Sequence, residues 1–300
     1  MINSIDFTKE MMRIDLSPVQ EFVLKCVFGE PLSKDKKIEV PDLTNSRIKY
    51  TLNEIEFFDF LVDTGKTNLL EYNEQERKQV ILAFGRRSGK SFLSRIITYY
   101  EQYRLFQHFS PQKHYKLSLD HPIHYGIISI NPGMSQINKD LYCESIMCSH
   151  STLKDRIVRN NKDSMSFQTD ADVFQLGIDS ISTSFSSYPS LKVRGYEYKM
   201  LILDDIDSEY DNSTIYTSIE ASIGSFLDSK IIFFNTPNRE EGEFWEQYNE
   251  SFNKKDSTLM FNLPSAMLNP IIDNPFLEHF KANNYNGFIN EFGSEFISIL

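Results

Sequence analysis

The sequence predicts an α/β fold with a mostly parallel central sheet flanked by helices, and three observations predict it. Short apolar runs, Gln79–Phe84, Tyr125–Ile130, Met200–Leu203 and Lys230–Phe234, alternate with helical segments. That is the pattern of buried parallel strands joined by helical crossovers. The first run passes into a loop with two glycines and three cations, Gly85-Arg86-Arg87-Ser88-Gly89-Lys90, and then into a helix with apolar residues at Phe92, Leu93, Ile96, Ile97 and Tyr100. The third run ends in paired acids, Asp204-Asp205. In such sheets ligands sit beyond the carboxyl ends of the strands. The loop, Asn131, Asp204-Asp205 and Asn235-Thr236 are therefore expected on one rim.

The elements follow in order. Ser17 is an N-cap and Pro18 a first helical residue; Leu16, Val19, Val23 and Val27 repeat at helical spacing, and Gly29 stops the helix. Residues 31–48, rich in Lys, Asp, Pro and Asn, read as a loop, and Leu52–Val62 as a second helix. Thr64-Gly65-Lys66-Thr67 imitates a phosphate loop but follows a helix, so it reads as a helix C-terminal turn. Phe92–Phe106 is helical and Ser110–His121 a polar loop. After the Asn131-Pro132-Gly133 turn a helix runs from Met134 to about Cys148. Ser164–Phe167 and Val173–Leu176 are short strands, Ser213–Phe226 is amphipathic, Glu240–Phe252 helical, and Leu259–Leu263 a short strand. The expected organisation is an N-terminal helical segment over 1–75 packed on a core over 76–265, with a C-terminal segment over 266–300.

Composition narrows the function. At 300 residues, 40% hydrophobic and 24% charged, the chain has ordinary globular composition. A net charge of −11 means that any nucleic-acid contact must come from local basic patches, because the global field repels phosphate. The three cysteines, Cys26, Cys143 and Cys148, have no metal or disulfide spacing, which suits a reducing compartment. No run of about 18 apolar residues appears, so a cytosolic location is expected.

The loop and the acids carry chemistry. A glycine-containing loop at a helix N-terminus aims backbone N–H groups and the helix dipole at an anion. Lys90 would neutralise the β- and γ-phosphates of a nucleotide and the Ser91 hydroxyl would ligate Mg²⁺. The spacing departs from G-x-x-x-x-G-K-[ST], because Phe84 stands where the first glycine belongs and Gly85 comes one residue late. Asp204, at the end of an apolar strand, has the form of a Walker B acid that would hold Mg²⁺ opposite Ser91, and Asp205 would orient the attacking water. Arginines near the phosphates, Arg86 and Arg87 in the loop and Arg194 before the acidic strand, could offset developing charge. Thr236-Pro237 could sense the γ-phosphate. Together these features predict a P-loop NTPase that hydrolyses a nucleotide with the help of Mg²⁺.

Leu16–Lys25, Gly85–Ser91, Ile128–Gln136, Val193–Asp205 and Phe233–Asn238, with Asn269-Pro270 and Phe288-Ile289-Asn290-Glu291-Phe292-Gly293-Ser294-Glu295-Phe296, resemble in order the ATPase half of the large terminase subunit of tailed bacteriophages. The likeness covers nearly the whole chain. It implies an additional-strand, RecA-like ATPase that packs double-stranded DNA into a procapsid, as a homo-oligomeric ring on the portal protein, with a small terminase subunit, in the host-cell cytoplasm. By that resemblance Gln20 is the adenine-side glutamine. Gly85, Arg86, Arg87, Ser88, Gly89, Lys90, Ser91 and Phe92 form the nucleotide loop, Ser91 and Asp204 hold the metal, and Asp205, Arg86 and Lys90 are catalytic. Asn235, Thr236 and Pro237 resemble the segment that couples hydrolysis to movement. Arg156 and Arg159 are candidates for an arginine supplied to a neighbouring subunit.

Two departures from the family stand out. Its members commonly carry Asp-Glu where this chain has Asp204-Asp205. The shorter Asp205 sets its carboxylate back by about one methylene, a displacement that can cost on the order of 100-fold in rate. Asp207 and Glu209 lie off the motif position. Family members also continue into a two-metal nuclease domain, which the resemblance places on another chain or beyond Leu300. Two other readings compete: a helicase-like nucleic-acid translocase, for which 300 residues leave no second lobe, and a non-hydrolysing nucleotide-binding scaffold.

Overall fold

The computed structural model describes residues 2–41, 49–129, 132–150, 153–162, 164–169, 171–172, 183–189, 197–206, 223–224, 226–269 and 274–298. Asn131, Val173–Leu176, Arg194-Gly195, Asp207, Glu209, Pro270 and most of Ser213–Phe226 lie outside the described residues.

The strands among them are β1 (Lys37–Pro41), β2 (Lys49–Asn53), β3 (Gln79–Phe84), β4 (Ile123–Ser129), β5 (Ile157–Asn160), β6 (Ser164–Phe167), β7 (Thr183–Pro189), β8 (Tyr198–Asp204), β9 (Lys230–Asn235) and β10 (Thr258–Leu263). The main helices are α1 (Pro18–Val27), α2 (Glu54–Asp63), α3 (Lys90–Leu105), α4 (Pro111–His114), α5 (Pro132–Met147), α6 (Gly242–Ser251), α7 (Ser265–Leu268), α8 (Asn274–Asn283) and α9 (Tyr285–Glu291). A mostly parallel sheet flanked by helices is thus the architecture the sequence predicts. Two compact units share the chain, one of Met1–Asp15, Ser94–Ile206 and Asp211–Ile231, the other of Leu16–Leu93, Asp207–Tyr210 and Ile232–Leu300.

In the first unit β8, β4 and β7 pair in parallel in that order, and β7, β6 and β5 continue antiparallel. Every residue of β8 is buried, as is β4 from Tyr125 to Ser129. Strands covered on both faces read as continuous apolar text for this reason. The parallel register sets Ser129 opposite Asp204, so both strands end at one level. The core holds the fully buried rings of Tyr99, Tyr125, Tyr142 and Tyr198, and Phe7 packs on Tyr99, Tyr100 and Tyr103. Lys230 Nζ meets Glu101 Oε1 at 2.9 Å, with both side chains buried.

In the second unit β10 pairs with β3 in parallel from Thr258 opposite Gln79 to Leu263 opposite Phe84, with β9 on the other side of β3. Helix α1 opens on a capping box: Ser17 Oγ accepts from the Gln20 backbone N–H, and Gln20 Oε1 accepts from the Ser17 N–H. Asn53 and Glu56 make the same reciprocal pair at the start of α2. The buried Glu54 carboxylate is held by Lys25 Nζ at 2.7 Å and by the Ser33 N–H at 2.7 Å, as a buried charge requires. Thr64 caps α2, and Gly65 turns the chain with φ +65°, so the imitation phosphate loop is a helix end as expected.

Four local expectations need correction. Leu52 and Asn53, expected to open the second helix, end β2, and α2 starts at Glu54 with Asn53 as its cap. Residues 37–41 form β1, antiparallel to β2, inside the segment expected to be loop. Alternation decides it: Ile38 and Val40 are buried while Lys37 and Glu39 are exposed. Pro111–His114 form a helical turn inside the expected polar loop, because Ser110 caps the Lys113 N–H and Pro111 occupies the first helical position. Helix α5 starts at Pro132, two residues before Met134, with the same proline preference at work. No helix among the described residues is long and apolar enough to cross a membrane.

Candidate nucleotide site

In the second unit the buried strand β3 delivers the chain to the loop 85–89, and α3 begins at Lys90. Two residues of the loop take left-handed backbone, Arg87 at φ +62° and Gly89 at φ +91°. The Leu93 N–H bonds to the Gly89 carbonyl at 2.9 Å, closing the first turn of the helix on the loop. Ser88 is buried, and its hydroxyl has no hydrogen-bond partner among the described residues. Gln20 places its side-chain amide nitrogen against Gly89, 3.2 Å from where a β-carbon there would sit. Ser91 and Phe92 are half-buried on the first turn of α3.

Lys90 is buried and folds back over its own strand. Its Nζ donates to Thr236 Oγ1 at 2.5 Å and to the Phe84 carbonyl at 3.4 Å. Thr236 follows β9, so the ladder that sets β9 beside β3 also brings the expected coupling turn to the loop lysine. Asn235 and Pro237 on either side are buried.

The C-terminal segment seals this loop from behind. The Arg86 N–H donates to the Glu291 carbonyl at 2.5 Å, and the Arg86 guanidinium lies 3.3 Å from the Glu291 carboxylate. Ser265 Oγ donates to the Arg86 carbonyl at 2.6 Å, and Asn269 Nδ2 to the Arg87 carbonyl at 2.9 Å. The Arg87 guanidinium sits over the Phe276 ring, 5.2 Å from its centroid. Ser294 Oγ reaches back to the Ala83 carbonyl at 2.8 Å. Gly85 is pressed so closely here that a β-carbon would run into Ser265 and the Phe292 carbonyl. Asn290, buried in the last turn of α9, directs Nδ2 at the carbonyls of Pro237, Asn238 and Glu295, all within 3.0 Å.

The acid site belongs to the first unit. Asp204 is buried at the end of β8, and its Oδ2 accepts from Asn138 Nδ2 at 3.0 Å. The same Nδ2 donates to Ser129 Oγ at 2.8 Å. Asp205 is exposed and takes left-handed backbone, φ +50°, which Asp tolerates better than most residues. Arg156 is half-buried with its guanidinium over the Phe106 ring, and Arg159 is exposed on β5.

The oxygen donors fit Mg²⁺. This ion prefers one or two protein oxygens plus substrate phosphates to a protein cage. No group of three or more His, Cys, Asp or Glu residues that could hold a metal occurs among the described residues. The buried strand-end carboxylate of Asp204 and the first-turn hydroxyl of Ser91 are each, taken singly, donors of the required kind.

Ser129, Asn138, Ser265, Asn290 and Glu291 entered the two clusters without a sequence-based assignment of their own. For Ser129 and Asn138 a signal existed. A polar residue that ends a buried strand, and another two turns into the next helix, are the positions that face a neighbouring strand's last residue.

Residues 21–288 match the family model described as "Uncharacterized protein MJ0330, N-terminal P-loop domain". No curated protein sequence matches the chain. The large terminase ATPase domain of Thermus phage P74-26 is similar with a TM-score of 0.56 at 16% identity, over 74% of this chain and 90% of that one. The large terminase of bacteriophage HK97 is similar with a TM-score of 0.53 at 12% identity, over 74% of this chain and 47% of that one. The large terminase of the thermophilic bacteriophage D6E in complex with ADP gives 0.50 at 12% identity, over 74% and 48%. The chain thus spans about half the length of the HK97 and D6E proteins. At these identities the likeness establishes a shared fold, that of large terminase ATPase domains. The family follows from the model match, which takes in most of the sequence: the chain belongs to the family of the N-terminal P-loop domain of uncharacterized protein MJ0330.

Proposed function

We propose that this chain is a Mg²⁺-dependent ATPase that drives movement of double-stranded DNA in a viral packaging assembly. The observation that carries the reading is the hydrogen bond from Lys90, at the mouth of a strand–loop–helix phosphate site, to Thr236 in the turn after β9. A lysine that binds the γ-phosphate brings that charge beside the Thr236 hydroxyl it already holds. The turn therefore registers occupancy of the site.

Lys90, the amides of residues 85–90 and Ser88 bind the phosphates, and Gln20 takes the adenine side. Ser91 and Asp204 would hold Mg²⁺, which when bound would offset the charge of the phosphates. Asp205 orients the attacking water, and Arg86 offsets charge on the γ-phosphoryl group. Residues 76–265 make up the catalytic core. The partners this reading implies are DNA, a portal protein, a small terminase subunit, other copies of the chain in a ring and a separately supplied nuclease. The setting is the host-cell cytoplasm. ATP turnover in the presence of DNA and portal tests the reading: Lys90→Ala is expected to abolish it, and full turnover by that variant overturns the proposal.

Exposed Asp205, with left-handed backbone and a short side chain, favours a second reading, a scaffold that binds ATP without hydrolysing it. Asp205→Glu separates the two. A motor limited by the setback gains about 10- to 100-fold in rate with the longer carboxylate, whereas a scaffold stays silent in both forms.

A further inference from the structure

Asn138 has no part in the phosphate loop or the acid motif, yet its side chain reaches the Asp204 carboxylate. It is fully buried on α5. Its Nδ2 spans Ser129 Oγ at 2.8 Å and Asp204 Oδ2 at 3.0 Å. The β4–β8 register places those two residues side by side at the strand ends. Asn138 Oδ1 is buried with no hydrogen-bond partner among the described residues. Turning the amide over would set Oδ1 against Asp204 Oδ2, two acceptors with no proton between them, so the carboxylate fixes the orientation seen.

Leaving a buried carbonyl oxygen without a donor is costly. A leucine of almost the same shape would avoid that cost. An asparagine in this place therefore calls for a purpose beyond filling space.

We propose that Asn138 is a positioning residue for the cation site: by holding Oδ2 of Asp204 against β4, it presents the carboxylate's remaining coordination to Mg²⁺. The proposal rests on the reading of Asp204 as a metal ligand. The hydrogen bond from Asn138 fixes where Oδ2 lies, and with it the direction in which the rest of the carboxylate faces, before the ion arrives. Partners one step removed from a metal typically change its affinity 10- to 100-fold when deleted.

The test is binding, without turnover, by the full chain. A fluorescent non-hydrolysable ATP analogue is titrated in EDTA and then at rising Mg²⁺, with Mn²⁺ as a second probe read by electron paramagnetic resonance. Asn138→Ala is expected to raise the half-saturating Mg²⁺ and Mn²⁺ concentrations about 10- to 100-fold while leaving analogue affinity in EDTA unchanged. Ser129→Ala, which removes the second acceptor of the same Nδ2, should shift them in the same direction by less. If Asn138→Ala no longer melts cooperatively, the near-isosteric Asn138→Leu serves in its place, with the same shift expected.

A folded Asn138 variant whose Mg²⁺ dependence stays within twofold of the parent overturns the proposal, provided that Asp204→Asn raises the requirement. Equal loss of analogue affinity in EDTA and in Mg²⁺ also overturns it, since that would mark general damage. Should Asp204→Asn itself leave the Mg²⁺ dependence untouched, the metal reading of Asp204 falls, and this proposal with it.

Discussion

Replacing Glu101 by glutamine removes a charge that the first unit has enclosed together with its partner. Glu101 and Lys230 meet at 2.9 Å with side chains 5% and 2% exposed, and Arg104 approaches Glu101 at 3.4 Å. Burial pushes the Glu101 carboxyl up, but Lys230, Lys199 and Arg104, with the hydrogen bond from Lys230, pull harder and bring it from 4.5 down to about 2. A displacement of that size corresponds to about 3 kcal/mol of stability at neutral pH. An independent route gives a similar figure, because stripping one partner from a buried ion pair costs about 3–5 kcal/mol.

The sign follows from a folded-state value lying below the unfolded one. The contribution is complete above the ordinary carboxylate range, shrinks as pH falls through it and is lost near the folded value of about 2. Urea unfolding of Glu101→Gln and its parent at pH 7, 5 and 3 tests this. The expected destabilisation is about 3 kcal/mol at pH 7 and about half that or less at pH 3. A difference below about 1 kcal/mol at pH 7, where paired buried charges should be costly to break, would refute the reasoning. So would one that stays constant down to pH 3.

Thr236→Val keeps the shape of the turn but takes the acceptor from Lys90. Turnover should fall at least tenfold, with nucleotide affinity nearly unchanged, as single-turnover and equilibrium measurements would report. Asn290→Ala strips three carbonyls of their shared donor in a buried place, and chemical denaturation should register a loss of about 1–3 kcal/mol. If Asn290 ties the coupling turn to the C-terminal segment, hydrogen exchange at the Ile297 amide, bonded to the Asn238 carbonyl at 2.8 Å, should rise in that variant. Unchanged exchange there would count against the link.

The buried strands around the phosphate loop, and the loop itself, were legible in the sequence because each is a local pattern, whereas Ile157–Asn160 and Thr183–Pro189 were not read as strands. Val80–Phe84 is continuous apolar text, and Gly89-Lys90-Ser91 follows it directly into a periodic helix. Ser17 with Gln20 was legible in the same way, as a capping signal three residues apart. What escaped depends on distance along the chain. Asn290 reaches Pro237 across 53 positions and Ser265 reaches Arg86 across 179, and neither residue has a periodicity or spacing that announces a partner. The β1 strand was hidden for another reason. Its alternation is only four residues long, and the surrounding Lys, Asp and Pro composition outweighed it. Asn138 combines both difficulties, since a single buried polar residue in a helix looks the same whether it fills a gap or grips a carboxylate.

The late glycine of the phosphate loop has a use that a motif scan would miss. Phe84, in the place of the usual first glycine, is buried at the end of its strand. Gly85 instead leaves room for Ser265 and the Phe292 carbonyl. The glycine thus behaves like half of a joint whose other half lies some 180 residues further on. A side chain at position 85 would push the C-terminal segment off the loop, so the glycine sets how closely two distant stretches of chain can meet.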